Sequence, residues 1–148
     1  MLLLLHAAAT CYMCGLIWFV QLVHYPLFAG VERDAFIAYQ REHVRRTGWA
    51  VGPAMLAEGA SALALCLLLP NGLSPLVAWG GMGLLAAIWL STFLWQVPCH
   101  NALLSGFDEE RHAWLVRSNW VRTVLWSARA VLALYVLAFL NPSLRLSY

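Results

Sequence analysis

His24, His43 and His100 each stand where an apolar stretch meets a polar one. Imidazole is a ligand for Zn, Fe and Cu, and two or three rings at one depth make a good ligand set. No H-x-x-x-H or E-x-x-H spacing links them, so separate elements must bring them together. Glu58 and His112 stand behind them as further ligand candidates. A buried imidazolium is unfavourable, so neutral rings would keep a nitrogen free for a metal ion. Gln21 precedes His24 by three positions and Gln96 precedes His100 by four, spacings that let each amide hold a second ring nitrogen. The same two histidines also suit axial ligation of a haem between helices. His6 lies at the far end of its segment and is read as incidental.

A second set of polar groups lies deeper in apolar sequence. Glu58 sits about ten residues into a hydrophobic stretch, where a lone carboxylate costs several kcal/mol. Arg129 has a similar depth in another stretch and is its expected partner. Asn119, Arg122, Trp126 and Arg129 follow the i, i+3, i+7, i+10 pattern of one helical face. Glu58 is the expected ligand or general base. Arg122, Arg129 and Asn119 would stabilise developing negative charge or pair with Glu58. A buried network that fixes helix register and does no chemistry would use the same groups.

The elements that position these groups are membrane spans. The 148 residues are 62% hydrophobic and only 11% charged, where a soluble domain is about a quarter charged. No lysine occurs, and no basic run interleaved with aromatics points to nucleic acid. The eight tryptophans suit interfacial belts. The four cysteines lie in apolar or juxtamembrane sequence and form no secreted disulfide framework. Cys11 and Cys14 form a C-x-x-C whose thiols are read as packing groups.

Spans are expected at about 3–23, 49–69, 76–96 and 119–140, each long enough for a hydrocarbon core of about 30 Å. The first lacks the basic start of a signal peptide and is too long for one. Proline at position 26 should end it. Pro70-Asn71-Gly72 reads as a tight turn, and Gly80, Gly81 and Gly83 as a close helix contact. Residues 32–46 and 100–118 read as short interfacial helices. The loops after spans one and three carry Arg33, Arg41, Arg45, Arg46, Arg111 and Arg117, while the other side has only Arg145. The positive-inside rule then puts both termini outside.

Shifting the chain by 76 positions lays His24 on His100, Gly30 on Gly106, Arg46 on Arg122 and Thr47 on Thr123. The expected fold is therefore all-α: one integral membrane domain, a four-helix transmembrane bundle made of two similar helical hairpins. Arg46, the counterpart of Arg122, joins Gln21 and Gln96 as a group bordering the cofactor position.

Around Pro98, Asn101, Leu104, Trp120, Arg122 and Arg129 the chain resembles small four-span bacterial membrane proteins. It is distantly similar there to the anthrone-oxygenase-like membrane family. The likeness covers about a quarter of the chain and implies an oxidoreductase in a bacterial inner membrane. His24, His43 and His100 depart from that family's pattern and speak against a cofactor-free mechanism.

Together these features lead to a membrane-embedded oxidoreductase holding a transition-metal ion (Fe, Cu or Zn) on His24, His43 and His100. Its substrate would be a lipophilic small molecule entering from the membrane lipid. The alternatives are a haem- or pigment-binding subunit of a larger membrane complex, and a small transporter. Homo-oligomerisation is compatible with each.

Overall fold

Four long helices make up the computed structural model, which describes residues 1–141: Leu2–Gly30, Arg33–Leu68, Pro75–Leu103 and Glu109–Leu140. All four are long and apolar enough to cross a membrane, and no strand occurs among the described residues. Pro142, Arg145 and Tyr148, which entered the expected helix end and the charge count, lie outside the described residues. The first helix packs against the second and fourth, and the third packs against the same two. The first and third therefore face each other across the bundle axis.

Proline does not end the first helix. Pro26 and Pro98 lack the N–H that would bond the carbonyl four residues back. Just before each, the backbone widens into a π turn, Val20–His24 and Thr92–Gln96. The Tyr25 and Val97 amides then donate to carbonyls five residues back, at Val20 and Thr92. This absorbs the missing donor, and the helices run on to Gly30 and Leu103. Their last turns carry Tyr25, Phe28 and His100 into the bundle.

The expected interfacial helices are not separate elements. Residues 33–48 form the first turns of the 36-residue second helix, and 109–118 those of the 32-residue fourth. Charge does not break a helix, and Arg33 to Thr47 contains neither glycine nor proline. At about 1.5 Å per residue the second helix is ~54 Å long, well beyond a hydrocarbon core of about 30 Å. The second and fourth helices start after N-cap residues Glu32 and Asp108, and the Asp108 side chain accepts from the Arg111 amide at 2.8 Å.

The Pro70 turn is as expected: the Leu73 amide donates to the Pro70 carbonyl at 2.9 Å, and Gly72 adopts φ 89°. Of the three glycines in the third helix, only Gly81 makes a close contact. A Cβ there would lie 3.3 Å from Arg129 Nη1 and 3.3 Å from Leu132, whereas Gly80 and Gly83 have nothing within 4 Å. Gly81→Ala should therefore lower thermal stability by about 1 kcal/mol through crowding. Gly80→Ala and Gly83→Ala should be neutral or raise it by up to about 1 kcal/mol through helix propensity. Melting curves in detergent check the contrast, and equal effects at all three would refute it.

Candidate functional site

Each of the four helices contributes one histidine to a cluster around Phe28, which is fully buried. Its ring centroid lies 5.2 Å from His24, 4.9 Å from His43, 6.4 Å from His100 and 6.2 Å from His112. His43 occupies the middle, 4.7 Å from the His24 ring and 5.0 Å from the His100 ring. The structure thus brings together the three histidines singled out by sequence, with no local motif to link them.

The hydrogen bonds set the rings' orientation. His24 Nε2 and His43 Nδ1 are 2.7 Å apart, so one hydrogen lies between two nitrogens. Thr47 Oγ1 is 3.2 Å from the same His43 nitrogen. His100 Nε2 meets the Tyr25 hydroxyl at 2.9 Å, and its Nδ1 lies 3.1 Å from Gln40 Nε2. His112 Nε2 donates to the Tyr25 carbonyl at 2.8 Å. Among the described residues, no three His, Cys, Asp or Glu side chains are already set as a metal-ligand group.

One side of the cluster is open. A cleft of about 340 Å³ is lined by His24, Tyr39, Glu42, His43, Arg46 and Thr47. Arg46 stands exposed at its rim, donating to Glu42 at 2.5 Å. Small molecules can therefore reach the His24–His43 pair from outside the bundle.

Gln21 and Gln96 do not orient the histidines, contrary to their spacing. Gln21 donates to the Val116 carbonyl at 3.2 Å and accepts from Asn119 Nδ2 at 2.9 Å. Gln96 donates to Ser118 at 3.1 Å and accepts from Ser91 at 3.2 Å. Both amides tie π turns to the fourth helix. A π turn takes more than four residues, so Gln21 does not stack on His24 as it would in an α-helix. The orienting role falls instead to Gln40, fully buried one helical turn before His43, and to Tyr25.

Glu58 and Arg129 pair as expected, but away from the histidines. Arg129 donates through Nε at 2.6 Å and through Nη2 to Glu58 Oε1, and through Nη1 to the Gly81 carbonyl. Thr10 adds a donor at 3.3 Å to the same carboxylate oxygen, leaving Oε2 without a partner. Glu58 follows His43 by 15 residues in one helix, which is about 22 Å along its axis. It is therefore in no position to ligate a metal at His43 or to act there as base.

His6 lies 18 positions before His24, about 27 Å along the first helix. It is buried, its Nδ1 lies 3.0 Å from Ser61 Oγ, and it lines a cavity of about 30 Å³ with Arg129 and Gly81. Asn119 is fully buried and accepts from Arg122 Nη1 at 3.2 Å. Arg122 is 6% exposed and neighbours Tyr25. It is the group between the deep pair and the histidine cluster. All four cysteines are free, and Cys14 lies 4.0 Å from Ser127.

The described residues are thus all-helical, with four helices long and apolar enough to cross a membrane and a histidine cluster at one end of the bundle. No family model matches the chain, and no curated protein or solved structure is significantly similar to it.

Proposed function

We propose that the chain is a membrane-embedded oxidoreductase that holds a transition-metal ion on His24, His43 and His100. The carrying observation is the convergence of these rings from three helices, with His43 4.7 Å from one and 5.0 Å from the other. Two imidazole nitrogens bound to a tetrahedral ion at about 2.1 Å lie ~3.4 Å apart. His24 Nε2 and His43 Nδ1 already lie 2.7 Å apart, so widening their separation by about 0.7 Å opens a seat for an ion. His100 completes the set by turning from Tyr25 or Gln40. Iron or copper would carry electrons there, and zinc would activate water. The resemblance to anthrone-oxygenase-like proteins favours redox chemistry.

The substrate is a lipophilic molecule that arrives from the membrane through the cleft beside His24 and His43. A haem between His24 and His100 fits less well, because the His43 ring lies between them. A small transporter is the second reading. It draws on the Glu58–Arg129 pair, the orphaned Glu58 Oε2 and the cavity at His6.

The two halves are similar hairpins in a bacterial inner membrane. Their second helices start 76 positions apart, after Glu32 and Asp108. The Pro26 and Pro98 turns are one helical turn short of that offset. The arginine-bearing first turns of the second and fourth helices lie in the cytoplasm, so a reporter fused after Tyr148 should behave as extracytoplasmic. A cytoplasmic reporter would reverse the orientation.

Protein purified in detergent without chelator should carry one or two transition-metal ions per chain. His24→Ala and His100→Ala should each lose the metal, and His6→Ala should keep it. Metal-free wild-type protein that also fails to take up Fe, Cu or Zn would defeat the proposal.

A further inference from the structure

Arg122 is a buried cation with no anion beside it. Among the described residues no carboxylate lies within ion-pair distance, whereas buried Arg129 has Glu58. Its one hydrogen-bond partner among the described residues is neutral, the Asn119 side-chain amide oxygen at 3.2 Å. Its Nε is buried without any partner. One turn along the same helix, Trp126 is fully buried and its Nε1 also has no acceptor. Residues four apart share a helix face, so two orphaned donors, one of them charged, lie along a single inward stripe. Leaving an arginine uncompensated in an apolar interior is costly, and each unmade hydrogen bond adds to that cost.

We infer that this stripe holds the carboxylate head of an amphiphilic ligand, the substrate of the histidine site. The inference rests on the proposed function only for the ligand's role, since the binding argument stands on Arg122 and Trp126. A carboxylate supplies the missing charge and accepts bidentately from a guanidinium edge, with lone pairs left for the indole N–H. A small anion from water would have to give up its hydration with little to offset the loss. An amphiphile delivered from the membrane adds apolar burial of its tail. The head would lie beside the chemistry, because Arg122 neighbours Tyr25, whose hydroxyl meets His100 Nε2 at 2.9 Å. Arg129, seven residues farther along, is about 10 Å away and already neutralised.

The test uses the full chain in nanodiscs, with dodecanoate and dodecanol as probes and thermal unfolding as readout. Dodecanoate should raise the wild-type midpoint by about 3 °C or more at saturation, and dodecanol should not. Arg122→Gln should abolish that shift and melt higher than wild type without ligand, because an unpaired charge is gone. Trp126→Phe should weaken dodecanoate binding by about tenfold. Equal shifts with both probes, or an Arg122→Gln protein that melts lower and keeps the shift, would overturn the inference. His43→Ala separates the two proposals: it should lose the metal and keep the dodecanoate response. Bound metal with no dodecanoate response in wild type sinks only the carboxylate site.

Discussion

Arg129→Met is expected to destabilise the protein by about 3–5 kcal/mol, the cost of leaving a buried carboxylate without its counter-charge. Glu58 is fully buried and Arg129 is 3% exposed, so neither can relax into water. Among the described residues, Thr10 is the only other side-chain donor to the carboxylate, at 3.3 Å. Glu58→Gln should also destabilise, because it strands a guanidinium that is then held only by the Gly81 carbonyl and a neutral amide. The double variant, Glu58→Gln with Arg129→Met, should recover part of the loss, since no charge is left unpaired. Melting curves for the four proteins give the coupling directly. Strict additivity would mean that the two side chains do not stabilise one another.

Changing His43 should have the largest effect on the histidine site. Its ring lies between His24 and His100, and it shares a hydrogen with His24. His43→Ala removes one proposed ligand and also the ring that holds His24 in place, so metal affinity should fall by more than about 100-fold. Gln40→Leu removes only the amide beside His100 Nδ1, so a loss of about 10-fold is expected. His112→Ala should cost little affinity, because that ring is spent on the Tyr25 carbonyl. Competition with a chelator of known affinity ranks the three. A Gln40 effect equal to that of His43 would make the cluster a hydrogen-bonded packing unit.

Hydropathy alone located the four helices, because few charged residues interrupt them. The Glu58–Arg129 pair was also legible, since an intramembrane charge requires a partner and only one lay at matching depth. The helix ends were not. Proline read as a stop at Pro26, but a π turn supplied a different acceptor pattern, and such turns leave no clear mark on a single sequence. The same turns redirected Gln21 and Gln96 to the fourth helix. Tyr25 and Gln40 belong to no motif, although Gln40 stands three residues before His43 on the same inward face. The burial of His6 leaves no mark in the sequence, because its partner Ser61 lies 55 positions away.

X-ray absorption at the metal edge, on full-length protein in nanodiscs, tests the proposed three-histidine centre most directly. Two or three imidazole nitrogens at about 2.0–2.1 Å are expected in wild type, with one fewer in His100→Ala. A bound metal surrounded only by oxygen, or a spectrum unchanged by His24→Ala, His43→Ala and His100→Ala, would contradict it.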